Sequence, residues 1–398
     1  MHWTVHLEGG PRRVNHAAVA LDGKIYTFGG YCSGEDYEIR RPIDLFVLDC
    51  FSYRWRELAK PLSGTEQYLC SPYQRYGHTA VVYNGKAYIW GGRNDSDGAS
   101  AILHCFDPVT CEWSIMPVAG MVPPARDGHS ACVIGDCMIV FGGFEEEFQR
   151  FSQESYAFNF VTRKWEELST KGSPPAWRDF HTATALGNRM YIFGGRSDYL
   201  GQFHSNREIY FDRLKYLDME TLTWTEPLVW GERPDGRRSH SAWAYKGKLY
   251  IFGGFVGGTL NRHFNSMYEY DPETSVWRQL HASGVCPDPR RRQCTVLVND
   301  RVFLFGGTKP SPHPKPPVHA GLLPLADKNL IDLSDLYVLD YAPSLKSLCL
   351  LAVNYSGLSQ EARRRSEPML PWDLRLDLAA MSQPSRITSP PARHESLG

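Results

Sequence analysis

Net charge is nearly missing from this 398-residue chain: 43 Lys and Arg stand against 44 Asp and Glu, leaving −1. No global field draws in nucleic acid or an anionic membrane, so neither is an expected partner. No stretch reaches the roughly 18–20 apolar residues that a spanning helix needs. Met1-His2-Trp3-Thr4-Val5-His6 also lacks the basic and apolar regions of a signal peptide. The expectation is a soluble protein of cytoplasm and nucleus. Ten cysteines (Cys32, Cys50, Cys70, Cys105, Cys111, Cys132, Cys137, Cys286, Cys294, Cys349) form no CxxC pair and no Cys/His zinc spacing. Reduced, packed thiols follow, with no metal site. GxSxG, HExxH, P-loop and dinucleotide fingerprints do not occur in a fitting context, so no catalytic residue and no cofactor is expected. What the chain does have is 42% hydrophobic and 13% aromatic residues, enough for a large core.

It also has a repeat. A Gly-Gly doublet recurs at Gly29, Gly91, Gly142, Gly194, Gly253 and Gly306, each after a short apolar strand such as Lys24-Ile25-Tyr26-Thr27-Phe28 or Leu249-Tyr250-Ile251-Phe252. Thirteen residues before five doublets stands a His (His16, His78, His129, His181, His240), and Gln293 takes the sixth place. An Arg precedes each by three residues: Arg13, Arg75, Arg126, Arg178, Arg237 and Arg290. Further on, a Trp follows five of the third strands (Trp55, Trp113, Trp165, Trp224, Trp277), whereas the sixth unit has Lys346 at that place. Trp3-Thr4-Val5-His6-Leu7 reads like the missing fourth strand, so residues 3–7 are expected to complete unit six and leave no open seam. Six units about 50 residues apart resemble the kelch-repeat family. The resemblance implies an all-β fold, a six-bladed kelch β-propeller over residues 1–341 closed by the N-terminal strand, with a loop inserted at 309–325. The His, the Trp and the Gly pair are read as packing.

In an antiparallel meander the start of the first strand and the end of the second share one face, so what varies there lines one mouth of the channel. Arg93 and Arg196 follow a doublet directly, where other units have Tyr31, Phe144, Phe255 and Thr308. Arg238 and Ser239 lie beside Arg237, and Arg291 and Arg292 beside Arg290. Asp127 and Asp179 follow Arg126 and Arg178, with Trp177 just ahead. A guanidinium-rich sector beside carboxylates and aromatics suits a short ligand with an anion at one end and a cation nearby, and a peptide C-terminus fits. The candidate ligand-binding residues are therefore Arg93, Arg178, Arg196, Arg237, Arg238, Ser239, Arg290, Arg291, Asp127, Asp179, Trp177, Tyr31 and Phe255. The alternative for the repeated Arg is pairing with neighbouring carboxylates and no ligand at all.

After Asp340 the grammar changes. Residues 342–380 read as two helices. The first follows Pro343 and carries an apolar stripe at Leu345, Leu348, Cys349 and Ala352. Leu345, Cys349 and Val353 resemble an elongin-binding box; Leu370, Pro371, Leu374 and Leu378 look like a cullin 2 box. Residues 381–398, rich in Ser and Pro, are expected to be an unstructured tail. Kelch units followed by both boxes resemble a small family of receptors that join elongin B/C and cullin 2, with its RING subunit, to proteins ending in glycine. That resemblance implies a non-catalytic ubiquitin-ligase subunit in which Arg196, Arg238 and Ser239 hold a terminal carboxylate. Gly201 stands where the family has a second Arg, a role that falls to Arg291 or Arg292. Asp127 or Asp179 would favour a basic residue upstream of the terminal glycine, and the chain's own Gly398 could cap a neighbouring copy. Two other readings remain: a kelch scaffold for chromatin or cytoskeletal partners, and a metal-dependent kelch enzyme.

Overall fold

The computed structural model describes residues 1–35, 40–205, 207–312, 329–355 and 371–387. Among them the chain is nearly all β, with three helices: α1 (Glu66–Cys70), α2 (Leu345–Tyr355) and α3 (Trp372–Ser382). No described helix is long and apolar enough to cross a membrane.

Each repeat builds one antiparallel meander. The first runs Ala17–Leu21, Lys24–Phe28, Leu45–Asp49, Arg54–Glu57, and five more sheets repeat the order. Tight turns set the register: Asp22-Gly23 and Asn84-Gly85 both take positive φ, as two-residue hairpins require. The sixth sheet, Cys294–Val298, Arg301–Phe305 and Leu336–Asp340, gains its outer strand from the other end of the chain. His2–Leu7 pairs antiparallel with Leu336–Asp340, from His2 against Asp340 to Leu7 against Leu336.

The recurring residues hold neighbouring units together. Each outer-strand Trp meets the aromatic ring before the preceding unit's doublet: Trp55 lies 5.1 Å from Phe305, Trp224 5.2 Å from Phe141 and Trp3 5.9 Å from Phe252. The repeated His packs on that same doublet; a Cβ on Gly91 would come within 2.3 Å of His129 Cε1. Glycine is thus required by the close approach as well as by its positive φ. His78 Nε2 donates to Phe28 O at 3.0 Å, and Gln293 Nε2 donates to Phe252 O at 3.2 Å, so Gln reproduces the bond in unit six.

The residue before each His makes a second link. The amide of Gly77 donates to Asn15 O, Gly128 to Gly77 O, Phe180 to Gly128 O, Ser239 to Phe180 O, Arg292 to Ser239 O and Asn15 to Arg292 O. These six bonds, 2.7–3.2 Å long, return to their start. All six residues are left-handed, with φ from 51° to 69°, although only two are glycine.

Ser344 Oγ accepts from the Ser347 amide at 3.0 Å and caps α2. Leu350, Leu351, Leu378 and Met381 are buried in a core cluster shared by sheets one and six. Lys346 pairs with Asp377 at 2.6 Å across the two helices. The inserted loop starts from a ribbon, Thr308–Pro310 against Leu330–Asp332; residues 313–325 lie outside the described residues. The unstructured tail expected from 381 needs correction over its first part. Met381 and Ser382 finish α3, and Ser385 and Ile387 are hydrogen-bonded to Glu8 and Gly9. Residues 388–398, Gly398 included, are outside the described set.

Candidate functional site

Some of the variable positions at the strand ends come together. Tyr76 pairs with Arg93, Asp127 with Phe144 and Asp179 with Arg196 in the ladders. Around them opens a cavity of about 540 Å³ whose walls include Tyr31, Arg93, Asp127, Asp179, Arg196 and Arg292. A second cavity of about 120 Å³ lies at the hydrogen-bonded circuit, lined by the repeated His and by Asn15, Phe180, Ser239 and Arg292.

Both charges are present at the mouth. Arg196 bonds Asp179 at 3.0 Å and also reaches Glu208, with Phe180 under its guanidinium at 5.6 Å. Burial opposes its charge, but the two carboxylates outweigh it and raise its pKa. Arg292 donates to Tyr31 Oη at 2.7 Å. Arg93 comes no nearer than 3.8 Å to Glu146. Asp127 is buried beside Asp179, and burial first, then that neighbouring charge, push its carboxyl up to about 7.

Below the rim sits a stack. Phe255 is buried with Arg291 at 4.2 Å and Arg238 at 5.2 Å from its ring. Burial, then the charges of Arg196 and Arg292, lower the Arg238 pKa. Ser239 Oγ, Arg238 Nε and Arg292 Nε are buried without a hydrogen-bond partner. Spare donors are therefore left on Arg292 in the walls of both cavities and on Ser239 in the smaller one, while Arg238 lines neither.

Other expected residues are placed elsewhere. Arg178, Arg237 and Arg290 are buried inside the units, each donating from Nη1 to the first glycine carbonyl of its doublet: Gly194 at 2.8 Å, Gly253 at 3.1 Å and Gly306 at 3.4 Å. Arg290 also pairs with Asp335 at 2.7 Å. A structural role accounts for this column. Trp177 is half-buried and does not line the cavity. On α2, Leu345 is 78% exposed and Leu348, Cys349 and Ala352 are exposed with it, whereas Val353 packs against the core. On α3, Pro371 is exposed but Leu378 is only 5% exposed and Leu374 packs beside it; the outward residues are Trp372 and Leu376. Leu370 lies outside the described residues. Sequence reasoning passed over Asn15, Glu35, Asp95, Phe180 and His204 in the cavity walls. The position before the repeated His was the available signal for Asn15 and Phe180; the other three come from loops with no repeat register.

Comparison with known proteins agrees with this architecture. Residues 77–307 match the KLHDC2/KLHL20/DRC7 Kelch-repeats domain and residues 12–62 the Kelch motif. Kelch domain-containing protein 3 of Rattus norvegicus and of Homo sapiens are each 48% identical over 392 residues, 98% of either chain. The chain belongs to the kelch-repeat family of Kelch domain-containing protein 3. Host cell factor 1 of Rattus norvegicus is 30% identical over 253 residues, 60% of this chain and 12% of that protein. In this chain the repeated residues pack between units, and variable positions line the cavity.

Proposed function

We propose that the chain is the substrate-recognition subunit of a cullin 2–elongin B/C ubiquitin ligase, a six-bladed propeller closed by its N-terminal strand that holds protein C-termini ending in glycine. The carrying observation is the mixed-charge cavity, Arg196, Arg292 and Arg93 beside Asp127 and Asp179, with an unspent Nε on Arg292 in its wall and the unspent Ser239 hydroxyl in the smaller cavity that shares Arg292. A terminal carboxylate takes such donors, and a basic residue upstream takes the unpaired Asp127. A terminal glycine adds no side chain beside the carboxylate. The closed circuit of backbone bonds supports the ring, and the exposed stripe Leu345, Leu348, Cys349, Ala352 supports docking of elongin B/C on α2. The subunit performs no chemistry; it brings substrate and ubiquitin donor together. Arrayed peptides with free and amidated termini test the reading. Capture of the free glycine-ended set, lost in Arg292→Ala, is expected; capture indifferent to amidation contradicts it. Purification with elongin B/C separates it from a plain scaffold.

A further inference from the structure

An outer strand with an open edge invites pairing with another chain. Here every described outer strand is covered at its Trp, and the covers fall into a pattern. In units three to six a two-residue piece of the incoming linker, ending in glycine, lies parallel to the strand: Ala119–Gly120 on Lys164–Trp165, Lys171–Gly172 on Thr223–Trp224, Trp230–Gly231 on Val276–Trp277, Ser283–Gly284 on His2–Trp3. Each glycine presses on a Trp carbonyl; a Cβ on Gly120 would lie 2.2 Å from Trp165 O. In unit two the side-chain amide of Gln67 in α1 stands in, accepting from the Trp113 amide at 2.6 Å and donating to its carbonyl at 3.2 Å.

Unit one differs. Its linker glycine, Gly9, does not touch Trp55 O; a Cβ there would lie 1.9 Å from Ser385 O. The stretch after α3 has entered between linker and strand. Ser385 N donates to Glu8 O and Ile387 N to Gly9 O, both at 2.9 Å, while the Trp55 amide donates to Ser385 Oγ at 3.4 Å. Arg54 fixes the approach by donating to Gln383 O at 2.5 Å and Ala379 O at 3.0 Å.

We infer that the edge of unit one is a docking slot for residues 383–387 of the same chain, and that filling it staples α2 and α3 across the junction of units six and one. The slot faces Trp55 as a linker and faces Gly9 as an outer strand, so one short segment completes two edges. The helices are thereby a fixed part of the ring and hold a constant geometry to the mouth. This stands whether or not the helices dock a ligase.

Hydrogen exchange on the full chain tests it. Ser385→Pro and Ile387→Pro each delete one amide donor of the slot, and Ser385→Ala keeps both. The proline variants are expected to quicken exchange about tenfold in Arg54–Glu57 and Trp372–Ser382, with Lys164–Glu167 unchanged, while Ser385→Ala quickens the Trp55 amide alone. Should Ser385→Pro fail to fold, Ile387→Pro reads the same amides. Unchanged exchange in both segments, or equal acceleration in all six sheets, overturns the slot.

Discussion

At the scale of single residues, the repeated and the variable arginines separate by what each side chain meets. The Arg three places before the His serves the doublet carbonyl in unit after unit, whereas Arg196 and Arg292, at variable places, face the cavity. Asp127 gives a direct check. Its carboxyl is raised to about 7 in the fold against ~3.9 in an unfolded chain, so the folded state binds the extra proton between those values. Stability is therefore lost as pH climbs from about 4 to about 7. Asp127→Asn should match wild type at pH 4 and exceed it by on the order of 2 kcal/mol at pH 9, read by denaturant unfolding. A variant no more stable at pH 9 would mean that the carboxylate is solvated or paired. The grouping of variable positions at one cavity was legible in part, since repeated residues stood out against them. The division between cavity and interior was not, because Arg196, paired with Asp179 at the cavity wall, and Arg238, stacked on buried Phe255, carry the same guanidinium.

At the scale of elements, the stripe of α2 and the inner face of α3 predict opposite outcomes. Leu345→Asp lies on an exposed face and should leave the melting temperature unchanged while ending co-purification with elongin B/C. Leu378→Ala empties a buried position under sheets one and six and should cost about 2–5 kcal/mol. Periodicity marked both helices, but heptad-like spacing does not say which face meets the ring. The repeated His offers a second test. Burial, together with the nearby Arg, lowers His16, His78 and His240 to about 3 and His129 and His181 well below their usual value. An unfolded chain protonates them near 6.5, so stability is full above that pH and falls as pH drops toward 3. His181→Gln, copying Gln293, should fold and flatten this acid slope by about 1.4 kcal/mol per pH unit. An unaltered slope would show that His181 is already charged in the fold.

For the whole molecule, the meanders and the borrowed strand His2–Leu7 were readable because the sixth unit lacked its Trp and the N-terminal Trp3 lacked a unit. The backbone circuit was not readable, since its six residues share a left-handed φ and no side-chain chemistry. Nor was the slot for residues 383–387, whose Ser and Pro composition resembles that of a free tail. The helices packed on sheets one and six stand apart from the cavity, where the proposed recognition falls. Calorimetric titration of one glycine-ended peptide, as free acid and as amide, measures that claim most directly. The account predicts that the acid binds at least about tenfold more tightly, roughly 1.4 kcal/mol, and that Arg292→Ala removes the difference. Equal affinity for acid and amide on the wild-type chain would contradict it.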